Sequence, residues 1–227
     1  MSAVVNKLSL KGFLKAVSII KHHWFDDMPE SNYVNYCLST RYLLESLLHT
    51  NQHLELREDG KVLGFILLTI SSQRSLHPIF SILLTFLNAL IKLTFSKAQK
   101  EHLNIDVEYD NAYQNIVKES KVDVFDGEIV LFMLEKKCIG KGYGTLLLEH
   151  AETEFSKHQC KKIFLFSDSS SNYQFYPKHG FDQKLCKYEE LLSKLCSRDV
   201  KTFIFVKELK LYFGSSQKLA KVNLNKA

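Results

Sequence analysis

Three glycines at every second position, Gly140, Gly142 and Gly144, separate an apolar run, "EIVLFML", from an amphipathic one, "TLLLEHAETEF". A strand that stops, turns through such a loop and starts a helix leaves backbone N–H groups unpaired at the helix N-terminus. Together with a helix-end charge equivalent to about +0.5, those donors suit a pyrophosphate. Glycine lets the backbone approach the phosphates without a Cβ in the way. A glycine-rich turn on its own serves equally well to let helix and strand pack closely. Two standard nucleotide patterns are excluded. The Walker spacing before Gly-Lys-Ser/Thr is absent. The dinucleotide fingerprint belongs on a first strand, with an acidic residue about twenty positions further on; here the loop lies past mid-chain with the spacing G-x-G-x-G.

The elements that must position this loop follow from periodicity. Residues 8–22 and 32–50 read as helices; Leu10, Leu14, Val17 and Ile20 mark a face of the first, and Leu43, Leu44, Leu47 and Leu48 enrich the second. Asp59-Gly60 sits between two strand-like runs and is the preferred pair for a tight hairpin turn. "IFSILLTFLNALIKLTF", residues 79–95, has Ser81, Thr85, Asn88 and Lys92 on one narrow stripe and apolar residues everywhere else. Too short for a membrane span and broken by Lys92, it is expected to be a helix covered mostly by protein. Residues 101–123 read as helix and loop, and "DGEIVLFMLE" as a strand apolar on both faces. After the glycines come a helix, the buried strand "KIFLFSD", a short helix ending at Gly180, and closing strands in "DQKLCKYEE" and "DVKTFIFVKEL". The reading is a single mixed α/β domain over 1–214: a central mixed sheet flanked by helices, a helical insertion at about 72–122 between the third and fourth strands, and a polar tail at 215–227.

Composition agrees, with 45% hydrophobic and 24% charged residues in 227. A net charge of +5, with lysines scattered among acids, argues against a nucleic-acid-binding protein. Five cysteines without close pairing and no visible secretory signal point to a reduced, cytoplasmic chain. Adjacent His22 and His23 cannot both face one metal from a helix, and the other histidines show no ligand spacing, so no metal is expected.

Downstream, "FYPKHGF" places Tyr176 four residues before Gly180-Phe181, shortly after the next buried strand. Here the chain resembles the GNAT superfamily of N-acetyltransferases. The family's Q/R-x-x-G-x-G/A signature after the fourth strand is matched by Ile139-Gly140-Lys141-Gly142-Tyr143-Gly144, and its F-Y-x-x-x-G-F-like phrase by Phe175 to Phe181. The resemblance covers roughly residues 54–70 and 126–208. Three departures stand out: Ile139 replaces the family's Gln or Arg, Ser169 replaces an asparagine often found seven residues before the tyrosine (with Asn172 four before it), and Lys136 replaces the usual proline.

The resemblance implies acetyl transfer from acetyl-coenzyme A to an amine of a small molecule or protein. The fourth and fifth strands would splay in a V, with the pantetheine arm along Phe132, Met133 and Leu134. The pyrophosphate would lie on Ile139, Gly140, Lys141, Gly142, Tyr143, Gly144 and Thr145, near Asn172, with Lys136, Lys137 or Lys141 supplying charge. Tyr176 is implied as the proton donor to the thiolate. Glu128 is the candidate base, ahead of Asp126 and Glu135, and an N–H of Leu134 or Met133 would polarise the thioester carbonyl. Cys138 lacks an activating partner, and His179 reads as structural. Trp24, Phe25 and Asp26-Asp27 are candidate rim residues. The insertion reads equally as an apolar acceptor pocket, a homodimer face or core, with no stable membrane insertion. The alternative to an enzyme is a GNAT-fold acyl-coenzyme A sensor or partner-binding module, which Ile139 favours.

Overall fold

The structure, a computed structural model, describes residues 3–26, 31–73, 78–93 and 97–210, with backbone alone at 78–80, 92, 93 and 97–104. Asp27 and the expected 215–227 tail lie outside them. Seven strands form one sheet in the order β1-β2-β3-β4-β5-β7-β6. They are β1 (Val4–Lys7), β2 (Gln52–Glu58), β3 (Lys61–Ile70), β4 (Gly127–Leu134), β5 (Lys162–Asp168), β6 (Asp182–Tyr188) and β7 (Lys201–Glu208). Only β4 and β5 run parallel; every other neighbouring pair is antiparallel. The hairpin forms where expected, with Asp59 at φ 50° and Gly60 at φ 73°.

Six helices flank the sheet among the described residues: α1 (Leu10–Ile20), α2 (Asn32–Leu48), α3 (Pro78–Leu93), α4 (Lys97–Ser120), α5 (Tyr143–Lys157) and α6 (Glu190–Leu195). On one face, α5 buries Leu147, Leu148, Ala151 and Phe155 against Ile66, Leu68, Ile129, Ile163 and Leu165. On the other, α1 and α2 cover Phe65, Leu67, Leu131 and Met133, while α4 brings Ile116 and Val117 to Phe164 and Ile204. Ser9 caps α1, its Oγ accepting from Gly12 N–H at 3.0 Å. A Cβ at Gly12 would stand 1.7 Å from the Glu55 carboxylate, so only glycine lets α1 lie this close to β2.

Several expectations change. α1 turns Ala16, Val17, Ile19 and Ile20 inward and leaves Leu10 and Leu14 in solvent. The short β1 and α6 had not been expected. α3 does form, but its facing is the reverse of the one expected. Leu84 and Asn88 are buried, whereas Ile82, Leu83, Phe86, Leu87 and Leu90 are exposed. The cause lies on α2, where Arg41, only 4% exposed, pairs with Glu45 and with Asp106 of α4. Asn88 donates to the same Glu45 at 2.9 Å. Asn88 thus meets charge on α2 beside the buried Leu84, while Thr85 and most of the apolar residues of the helix are left outside.

Candidate active site

β4 and β5 pair only over Gly127–Ile129, although both continue well beyond. Two features part them. Against β3 the register steps from Leu67↔Leu131 to Leu68↔Ile129, leaving Val130 as an extra residue, and such a bulge bends its strand. β5 is meanwhile held along its other edge by β7, from Lys162 to Asp168. The phase of the ladder follows from Glu135 N–H, which donates to Leu63 O at 2.8 Å. Leu131 and Met133 then exchange bonds with β3, while Phe132 and Leu134 turn amide and carbonyl toward the gap. Of the two amides expected to polarise a carbonyl, Leu134 alone faces the splay; that of Met133 is committed to β3. His23 closes over this edge, its Nε2 lying 2.8 Å from Leu134 O. A carbonyl can only accept, so Nε2 carries the hydrogen.

Past β4 the chain makes one tight turn at Lys136–Cys138 and enters the glycine loop. Gly140 and Gly142 adopt φ 80° and 81°, and a Cβ at either would meet nothing within 4 Å. Their lack of a side chain therefore serves backbone conformation and an open approach. Gly144 is different: a Cβ there would stand 3.3 Å from the Phe175 ring, so this glycine seats α5. The N-terminus of α5 has no side-chain cap. The Tyr143 hydroxyl donates to Glu58 at 2.7 Å, and Thr145 Oγ1 pairs with His179 Nε2 at 2.9 Å. Both side chains are thus engaged within the fold, and what the helix start offers a ligand is its amides. Ile139 and Lys141 are exposed beside it. Lys137 is held by Glu135 at 2.8 Å, so of the nearby lysines it is the least free to supply charge. Cys138 is buried, and burial pushes its thiol up, which leaves it un-ionised.

Tyr176 sits between two short turns, Tyr173–Phe175 and Pro177–His179, the second closed by Gly180 at φ 78°. Its ring packs 5.6 to 5.9 Å from those of Phe175, Phe181 and Phe205, on the α5 face of the sheet. Burial pushes its hydroxyl well above the ordinary tyrosine value, and the hydroxyl has no hydrogen-bond partner among the described residues. Asn172 is exposed at the start of the same segment. His179 stacks on Phe175 and bonds Thr145.

Glu128 reaches the splay from the opposite face. Burial pushes its carboxyl up to about 7, partly opposed by Tyr113, whose hydroxyl donates to both oxygens at 2.9 and 3.0 Å. The competing acids are otherwise committed. Asp126 accepts from the amides of Lys161 and Lys162, and Glu135 pairs with Lys15 and Lys137. Beyond Tyr113, α4 and the end of β5 bring together a group that sequence reasoning had missed. Tyr42 of α2 is pushed up by burial and by Asp106, Asp110, Asp168 and Glu45. Tyr109 is pushed up by burial and by the charge of Asp168. The signal was present in "DVEYDNAY": Asp106, Tyr109, Asp110 and Tyr113 recur at three- and four-residue spacing on one side of α4. Of the expected rim, Trp24 packs edge-on against Tyr42 at 4.8 Å, Phe25 is buried, and Asp26 is tied to Lys21 and His22.

The Acetyltransferase (GNAT) family profile matches residues 20–181. Among solved structures, the ribosomal-protein-S18-alanine N-acetyltransferase of Escherichia coli superposes with a TM-score of 0.54 at 11% identity, covering 96% of this chain and 99% of that one. PaiA N-acetyltransferase of Thermoplasma acidophilum, in complex with coenzyme A, gives 0.51 at 16% identity over 92% and 99%. The NatC complex bound to Gag peptide and CoA gives 0.50 at 16% over 92% and 100%. At such identities the likeness is one of fold. No curated protein sequence matches the chain.

Proposed function

The chain belongs to the acetyltransferase (GNAT) family, and from that premise we propose that it moves the acetyl group of acetyl-coenzyme A to a primary amine of a small molecule or protein. One observation carries the reading: the splayed β4 edge runs directly into an uncapped, glycine-led helix start. The residues present fit the cosubstrate. The open space and positive φ at Gly140 and Gly142 suit phosphates against bare amides, with Ile139, Lys141 and Asn172 at the border. Phe132 and the Leu134 amide offer an extended ligand an edge to pair with, Leu134 O being held by His23. When bound, the cosubstrate supplies an activated acyl group on a sulfur leaving group.

The protein's own residues supply the proton traffic. Glu128, with a carboxyl near 7, takes a proton from an arriving ammonium at neutral pH, directly or through water. Tyr176, kept protonated by burial, holds a proton at its hydroxyl for the leaving sulfur. Asp168 beside Tyr42 and Tyr109 favours an acceptor that arrives positively charged. That neighbours act on a protein alanine or hold a peptide supports a protein amine as one acceptor class. Five free thiols support a cytoplasmic site of action. The test is free-thiol release from acetyl-coenzyme A over a panel of monoamines, polyamines and peptide N-termini. Amine-dependent release is expected. Tight binding without release on any amine would favour an acyl-coenzyme A sensor instead, the reading to which Ile139 points.

A further inference from the structure

Glu128 stands on β4 between Thr69 of β3 and Phe164 of β5. Thr69 gives its hydroxyl hydrogen to His49 O, and Phe164 has none to give. Asp126, two residues earlier on the chain, is turned to the amides of Lys161 and Lys162. Among the described residues, the titratable group that bears on the Glu128 carboxyl is Tyr113. It comes from α4, a helix of the segment inserted between β3 and β4. Its hydroxyl lies 2.9 and 3.0 Å from the two carboxyl oxygens, so one hydrogen is shared between them. Such sharing fixes the plane of the carboxylate and leaves lone pairs on both oxygens for an arriving proton.

The tyrosine is itself held. Phe166 of β5 meets its ring edge-on at 5.5 Å and 90°. Ala112, Ile116 and Val117 beside it are buried and anchor α4. Burial, and then the charge of Glu128, push the Tyr113 hydroxyl well above the ordinary tyrosine value, so it remains a donor and takes no part as an acid or base. We propose that Tyr113 is a positioning residue of the acetyl transfer, holding the Glu128 carboxylate in one orientation for the incoming amine and making the inserted helix α4 part of the active site. This rests on the reading of Glu128 as the base. Burial alone would push that carboxyl higher still. The bond from Tyr113 favours its charged form and thereby keeps it working near neutrality.

Tyr113→Phe removes the hydroxyl and keeps the ring against Phe166. In NMR of carboxyl-labelled glutamate, with the Glu128 signal assigned by its loss in Glu128→Gln, the titration midpoint of Glu128 should rise by about one pH unit in Tyr113→Phe. This midpoint is read in the folded protein, so a loss of stability does not enter it. The rise of turnover with pH should move the same way, so that the loss at pH 6 exceeds the loss at pH 9 by about tenfold. A tyrosine that only filled space would lower turnover equally at both pH values, and that result would count against the proposal. A Glu128 carboxyl that titrates alike in wild type and Tyr113→Phe overturns the proposal and leaves the base assignment standing. A Glu128→Gln protein that keeps the wild-type pH profile overturns the base assignment, and the proposal with it.

Discussion

Glu128 and Tyr176 divide acid–base work through one shared cause, burial, acting on groups of opposite duty. Burial disfavours a charged side chain, so it turns a carboxyl into a base working near neutrality and keeps a phenol protonated. Tyr176→Phe retains the ring among Phe175, Phe181 and Phe205 and removes only the proton. Turnover should fall by on the order of 10² to 10⁴, with acetyl-coenzyme A affinity unchanged in calorimetry; equal turnover would take Tyr176 out of the mechanism. For Glu128 the sign is set by its raised value. The fold binds this proton more tightly than the unfolded chain does, so the stabilisation is complete below about 4.5 and disappears as pH rises through about 7. Glu128→Gln should therefore melt increasingly above the wild type between pH 5 and 8. The same variant should lose the rise in rate that the wild type shows on passing through pH 7. A melting difference independent of pH would mean that the carboxyl is not desolvated.

At the scale of elements, the site exists because β4 is bent. The extra residue at Val130 and the hold of β7 on β5 together open an edge that a regular parallel pair would have closed. His23, in the π-helical turn Lys21–Phe25 that follows α1, spans 111 residues of sequence to cap that edge at Leu134. The orientation of α3 makes a sharp prediction about substitutions one residue apart. Asn88→Asp places a second carboxylate against Glu45 inside the Arg41 network and should cost roughly 1–3 kcal/mol in urea unfolding. Leu87→Asp, on the exposed side, should stay within about 0.5 kcal/mol of the wild type. The opposite order would mean that α3 is rotated.

For the whole molecule, the sheet separates two electrostatic environments. Aspartates and tyrosines gather on the α4 side of the splay, while bare amides and Lys141 wait at the start of α5. A ligand joining them is held only by the native fold. At a hundredfold excess over Kd, acetyl-coenzyme A should add about 2.7 kcal/mol, a rise in Tm of roughly 5–10 °C for a chain of this size. Gly142→Val should remove that rise. The valine must adopt φ near 81°, which costs stability without a steric clash, and its side chain fills the open approach. An unchanged rise in a folded Gly142→Val protein would place the ligand elsewhere.

What the sequence determined by itself was whatever depends on near neighbours along the chain. Asp59-Gly60 specifies its hairpin through local φ alone, and the glycines after "EIVLFML" specify a strand, a turn and a helix start in that order. The Tyr176 to Phe181 phrase likewise marks its own turns. Short elements escaped because they carry no periodic signal: β1 has four residues and exists because β2 offers it an edge. Tertiary structure decided which surfaces meet. The stripe of Ser81, Thr85 and Asn88 was legible, but the burial of Asn88 was not, because that depended on Arg41 and Glu45 of another helix presenting charge where an apolar partner had been assumed. Tyr113 meets Glu128, and Tyr42 and Tyr109 come under Asp168, only when α2, α4, β4 and β5 converge. Burial, which sets the proton affinity of every one of those groups, belongs to the packed molecule and to no segment of it.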